Sequence, residues 1–219
     1  ALGDVVAEVE KLLADYPAPD GVDLEVGGTV EDQGDAFGDL GTLLILIVIL
    51  VYIVMATQFE SLKFPFIIMF TIPFAFTGVF LALWMTSTPL SLIALIGAIM
   101  LVGIVTKNGI VMVDYMNLLI ERGSGVFDAV IAGGKSRLRP VLMTSFTTIL
   151  GMLPLAIGTG AGSETWQPMG IAVIGGLTFS TILTLFIVPV LYSILVNRSQ
   201  RKEREKLARL SAEHQASKH

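Results

Sequence analysis

The chain contains no cysteine, which excludes disulfides, thiolate metal sites and cysteine nucleophiles and leaves the redox compartment unreadable from thiols. It is also poor in charge, with 15% Asp, Glu, Lys and Arg against about 25% in soluble domains. An ordinary soluble globular protein is thereby excluded. The formal net charge of -5 offers no basic footprint for nucleic acid, so no nucleic-acid partner is expected. The two histidines, His214 and His219, are too few and too far apart for a metal site. The opening Ala1-Leu2-Gly3-Asp4 lacks an initiator Met and the basic start of a signal peptide, and reads as a cut end.

What is abundant is apolar sequence: 53% hydrophobic residues and a mean hydropathy of +0.77. It runs in blocks of about twenty, the length a helix needs to cross a ~30 Å hydrocarbon core. Five stretches qualify, at Leu40 to Met55, Pro65 to Met85, Leu90 to Asn117, Val141 to Ile157 and Met169 to Val196. The fold class expected is an all-α polytopic membrane bundle of five transmembrane helices, preceded by a small α/β unit. That unit, residues 1–39, has apolar positions Val5, Val9, Leu12 and Leu13 at helical spacing. A Pro17-Ala18-Pro19-Asp20-Gly21 breaker and the strand-like alternation Val22, Leu24, Val26 follow. One helix and one strand cannot bury a core alone, so this piece expects the rest of a domain. The expected division is 1–39, 40–196 as the five-span domain, and 197–219 as a charged, helix-prone cytoplasmic tail.

Five spans put the termini on opposite sides. Every lysine and arginine except Lys11 and Lys107 falls in the intervals 58–64, 121–140 and 197–219, while the loops 86–89 and 158–168 hold none. By the positive-inside rule the first set is cytoplasmic and the N-terminal piece lies outside.

Lys107 lies in the middle of the third apolar stretch, about ten residues or ~15 Å from its cytoplasmic end, beyond the reach of a snorkelling lysine. An unpaired lysine at the centre of a span costs about 2.5–3.5 kcal/mol, so an anionic partner, a wet path or a lowered pKa is implied. Asp114, at i+7, shares its face but sits ~10 Å along the axis, too far for a direct pair. No other acid lies in the five stretches, so the counter-ion is expected from sequence outside this chain. The choices are a static ion pair or, preferred, a proton-linked role. Arg137 and Arg139 precede Pro140, which suits a first helical position, and serve either as headgroup anchors or functionally. Thr144, Thr147, Thr148 and Gly151 form a small polar face read as close helix packing rather than a proton path. Gly170, Gly175, Gly176, Ser180, Thr181 and Thr184 are read as packing as well. Met100, Met112, Met116, Met143 and Met152 are read as apolar filler rather than a soft-metal path. No nucleophile, base and acid converge on one face, and no phosphate-cradling glycine loop occurs, so no enzyme is expected.

Taken together, Gly103 to Tyr115 with its Lys107-Asn108 pair, Arg137-Leu138-Arg139-Pro140, Met143-Thr144-Ser145, Gly151-Met152-Leu153-Pro154-Leu155, Gly160-Ala161-Gly162-Ser163 and Gly175-Gly176 form a joint pattern. It resembles the C-terminal membrane half of resistance-nodulation-division efflux pumps, in the hydrophobe and amphiphile branch. The resemblance runs in order over residues 1 to 195, Gln58-Phe59-Glu60-Ser61 included. It implies a periplasmic porter piece at 1–39 and the eighth to twelfth spans of a twelve-span pump of the bacterial inner membrane, N-terminus periplasmic and C-terminus cytoplasmic. It further implies Lys107 as the relay lysine facing an aspartate pair in the missing N-terminal half, with Asn108 its neighbour in the relay motif and Arg137 and Thr144 on the proton path; Asp114 is a candidate accessory by its place on the same face. No cofactor is implied beyond the proton motive force. The implied partners are a homotrimer, a periplasmic adaptor, an outer-membrane channel, membrane lipids and small hydrophobic substrates. A metal-ion or lipid exporter is the rival within the superfamily; the metal branch, by the same resemblance, lacks the Lys-Asn pair. A short five-span scaffold or regulator is the rival outside it.

Overall fold

A computed structural model of the chain describes residues 8–9, 11–13, 29–158, 160 and 162–216, with side chains between Asp32 and Arg198 in the bundle. From Thr29 onward it is six helices: α1 Thr29–Gln58, α2 Lys63–Met69, α3 Ile72–Met85, α4 Leu92–Glu121, α5 Val126–Ile157 and α6 Ser163–Ala216. Helices α2 and α3 form one interrupted span, so five segments are long and apolar enough to cross a membrane.

The α/β unit expected ahead of the bundle is not supported. Among the described residues there is no strand, and residues 29–39 are the first turns of α1. Asp32, in the first turn, suits the positive end of a helix dipole, and the helix runs on through Gly34 and Gly38. The strand expected at Val22 to Val26 lies outside the described residues. Three boundaries also differ from expectation. The second span breaks at Phe70-Thr71, where the Thr71 hydroxyl donates to the Ile68 carbonyl at 2.6 Å and Pro73 opens the next helix. Residues 126–139, read as loop from their charge, are the first half of α5, so Pro140 lies inside that helix and not at its start. There Val126, Ala129 and Gly133 are buried while Lys135 and Arg139 are exposed, the pattern of an amphipathic helix. The tail continues α6 to Ala216.

Local signals fix the other ends. Ser91, in extended conformation, caps α4 by accepting from the Ala94 amide at 3.2 Å. Gly158, left-handed at φ 64°, ends α5 as only glycine does at little cost.

Helix α6 is the hub, packing on α3, α4 and α5, while α1 packs mainly on α2 and α4 among the described residues. The close approaches are made by glycine. A Cβ on Gly170 would lie 2.7 Å from the Ala156 amide nitrogen of α5, and one on Gly78 would lie 2.8 Å from the Gly175 carbonyl. Gly176 is equally closed, by Leu101, Val79 and the Ala75 carbonyl. The reading of the α6 small residues as packing is thus met by the contacts. The one for Thr144, Thr147, Thr148 and Gly151 is not: Gly151 has no atom within 4 Å of a built Cβ, and the three hydroxyls donate back to carbonyls of α5 itself. Ser145, one residue on, makes the helix contact instead, its hydroxyl 2.9 Å from that of Thr181 on α6.

The buried residues form two clusters stacked along the bundle. One holds Ala75, Val79, Leu83, Ala98, Leu101 and Leu177; the other holds Met55, Ile67, Ile68, Met112, Met116 and Tyr192. In the second, the Tyr192 hydroxyl donates to the Asn117 side-chain oxygen, and Phe64 stacks on the Tyr192 ring at 5.6 Å. That knot ties α2, α4 and α6.

Gly170→Val should cost about 1–3 kcal/mol, because the obstruction is backbone and cannot yield cheaply. Gly151→Val should leave stability unchanged. Thermal unfolding of both variants in detergent micelles checks the contrast.

Candidate functional site

The 30 residues of α4 divide cleanly by face. Leu101, Val102, Val105, Thr106, Asn108, Gly109, Met112 and Val113 are buried, whereas Met100, Gly103, Lys107 and Asp114 are exposed. Residues 100, 103, 107 and 114 fall on one stripe at 3.6 residues per turn. Lys107 is at mid-helix, with about 21 Å of helix on either side. Neither Lys107 nor Asp114 makes an ion pair or hydrogen bond among the described residues. The cation sits on an exposed stripe, two turns from Asp114, that no described residue covers.

Gly109 explains why the lysine faces outward. A Cβ at that position would come within 2.8 Å of Ile68 Cγ2, so the missing side chain lets α4 seat directly on α2. That contact sets the rotation of α4, burying Asn108 and Thr106 and turning Lys107 to the opposite side. The Thr106 hydroxyl is spent on its own helix, donating to the Val102 carbonyl.

Arg137 on α5 is partly buried, with its guanidinium carbon 4.5 Å from the centroid of the Tyr115 ring on α4. Its Nε is buried with no hydrogen-bond partner among the described residues. The cation-π contact therefore is the tie that holds it. Thr144 is exposed on α5 and donates to the Val141 carbonyl at 3.0 Å. Of the residues singled out from sequence, Lys107 and Asn108 share one helix and Arg137 reaches that helix through Tyr115. Thr144 makes no bond with any of them.

Tyr115, Gly109 and the Asn117–Tyr192 bond were not read from the sequence as positioning this site. Gly109 carried a signal, since a glycine directly after the Lys-Asn pair marks a close approach. The Tyr115–Arg137 and Asn117–Tyr192 pairs join residues 22 and 75 apart and carried none. The five methionines do not converge: Met112 and Met116 are in the core, Met100 and Met143 face outward. Among the described residues no cluster of three His, Asp or Glu is placed to hold a metal ion.

The sequence comparisons give the class to which this five-span bundle belongs. The profile of the AcrB/AcrD/AcrF family matches residues 1–196. The chain belongs to that family of resistance-nodulation-division transporters and is a membrane protein. It is 37% identical over 199 residues to the swarming motility protein SwrC of Bacillus subtilis, covering 90% of this chain and 19% of that one. It is 37% identical over 203 residues to the cobalt-zinc-cadmium resistance protein CzcA of Cupriavidus metallidurans, covering 92% and 19%. It is 36% identical over 201 residues to the multidrug resistance protein MdtC of Proteus mirabilis, covering 91% and 20%. A crystal structure of a heavy metal efflux pump superposes with a TM-score of 0.76 at 29% identity, over 90% of this chain and 19% of the pump. The chain thus spans about a fifth of the length of the relatives it matches.

Tyr115→Leu should cost about 0.5–2 kcal/mol by leaving a half-buried guanidinium unsupported. Tyr115→Phe, which keeps the ring, should cost far less. Denaturant titration of the purified variants distinguishes the two.

Proposed function

We propose that the chain is the lysine-bearing C-terminal half of a proton-driven exporter of the bacterial inner membrane, with its N-terminus periplasmic and its C-terminus cytoplasmic. One observation carries the reading: Lys107 is at mid-span, on an exposed stripe of α4, with no partner among the described residues. Such a cation needs an anion from outside the chain. An aspartate pair in the N-terminal half, as the family resemblance implies, supplies it. Protonation of those aspartates weakens their hold on Lys107, and the lysine re-orients with its helix. The shift passes through the α2–α4 seat at Gly109 and Ile68 to α1, which packs mainly on those two helices, and so toward the porter region. Asn108, Arg137 and Thr144 belong to the same path in this reading, with Asp114 as an accessory near the membrane surface. The energy source is the proton motive force, with no cofactor. The working unit is a homotrimer joined to a periplasmic adaptor and an outer-membrane channel.

The preferred cargo is hydrophobic or amphiphilic compounds, on the strength of the Lys107-Asn108 pair and the likeness to MdtC. Metal ions are the second reading, favoured by equal identity to CzcA and by the superposed heavy metal pump. A non-transporting scaffold finds no support in the relatives.

In the full-length protein, Lys107→Ala should abolish export from energised vesicles while expression and assembly persist. Export at the wild-type rate would sink the relay; loss of folded protein would make the lysine structural. Running the same vesicles with a lipophilic dye, and with cobalt, zinc or cadmium, decides the cargo.

A further inference from the structure

Helices α4 and α6 run side by side in the same direction. Gly176 closes on Leu101 at one height and Tyr192 donates to Asn117 at another, and each pair is 75 residues apart. Between those contacts a residue of α4 stands level with the residue 75 places on in α6. Asn108 is therefore level with Leu183 and one step from Thr184.

The face that α4 turns to α6 is Leu101, Val105, Asn108, Met112 and Met116, and the innermost stripe of α6 is Leu177, Ser180, Thr184 and Val188. All are buried, and Asn108 alone keeps more than a trace of exposure, at 8%.

Two polar groups in this interface have no partner among the described residues. Thr184 Oγ1 is buried and makes no hydrogen bond. Elsewhere in the bundle Thr106, Thr144, Thr147, Thr148 and Thr178 donate to carbonyls three or four residues back in their own helices, and Thr181 pairs with Ser145. Thr184 uses neither outlet. The Asn108 amide, with two donors and an acceptor, also makes no hydrogen bond among the described residues, although its helix face is packed.

A hydroxyl and an amide withdrawn from solvent without partners bear their desolvation unreturned. Polar groups that face each other beyond direct reach are joined by a buried water where two to four partners and a space of its own size exist. The partners here are the Thr184 hydroxyl, the Asn108 amide and Ser180 Oγ, which donates to the Leu177 carbonyl at 3.2 Å and keeps its lone pairs free. The remaining exposure of Asn108 supplies the space. An ion would find no counter-charge, since Lys107 and Asp114 lie on the exposed stripe of α4, and an apolar occupant would leave both groups unpaired.

We propose that one internal water bridges the Asn108 amide of α4 and the Thr184 hydroxyl of α6, with Ser180 as its third partner. It fastens the residue next to Lys107 to the hub helix, at the level where the two buried clusters part. The site stands whether or not Lys107 relays protons.

The test is radiolytic hydroxyl-radical footprinting of the full-length protein in lipid nanodiscs, in which a bound water oxidises the side chains it touches. Met112 is 0% exposed and one turn from Asn108 on the same face; Met116 is equally buried and two turns away. Met112 should be oxidised roughly fivefold faster than Met116. Thr184→Val, which keeps the shape and removes the hydroxyl, should bring Met112 down to the rate of Met116 and lower the melting temperature. Thr184→Ser should retain the oxidation of Met112. If the valine variant does not fold, the wild-type ratio of Met112 to Met116 decides the case alone. Equal protection of the two methionines in the wild type, undiminished Met112 oxidation in Thr184→Val, or a higher melting temperature in that variant, the result of deleting an orphaned hydroxyl, would overturn the bridge.

Discussion

Helix association in lipid has no hydrophobic drive of its own, because acyl chains are as apolar as the side chains they meet. What holds this bundle is the closeness that small residues allow along α6. At Gly170 and Gly175 the helix meets α5 and α3 through backbone or through the first carbon of a side chain, and at Gly176 it meets the Leu101 side chain of α4 and the Ala75 carbonyl of α3. At that separation dispersion and weak C–H···O contacts accumulate, and one helix can serve three neighbours. The Ser145–Thr181 pair and the Tyr192–Asn117 bond then add directional ties at two heights. The outward turn of Lys107 depends on the same device, used between α4 and α2 at Gly109.

Much of this was legible beforehand, because the bilayer imposes a length and a polarity that sequence displays directly. The five spans and the isolation of Lys107 followed from apolar runs of sufficient length. The boundaries did not, since charge was taken as the mark of a loop. Residues 126–139 carry Asp128, Lys135, Arg137 and Arg139 yet form an amphipathic helix whose buried face is only Val126, Ala129 and Gly133. The acid-rich turns at 29–39 misled in the same way. Tertiary pairs such as Tyr115 with Arg137 were invisible because no local pattern encodes them. The small polar face on α5 showed the limit of composition: its three hydroxyls bond to their own helix and Gly151 stands open, while the neighbouring Ser145 bonds across to Thr181.

Uncovered surface is unevenly distributed. The most apolar window of α1 is 6% buried within the chain and that of α5 is 11%, against 56% for α4 and 50% for α6. In α4, however, the exposed remainder includes a charge, which lipid cannot satisfy. Lipid alone is an adequate neighbour for α1 and α5 but not for the Lys107 stripe. That distinction separates a surface that merely faces the membrane from one that requires a polar partner.

The interruption at Phe70-Thr71 falls at the same height as the division between the two buried clusters, and Lys107-Asn108-Gly109 falls there too, between Val105 of one and Met112 of the other. Only α4 and α6 contribute buried residues to both clusters. The bundle is therefore built as two blocks with a compliant waist. Tilting one block against the other flexes the continuous helices α4, α5 and α6 and opens a joint already cut in the second span. The intramembrane lysine is mounted on a continuous helix at the level where the second span is cut.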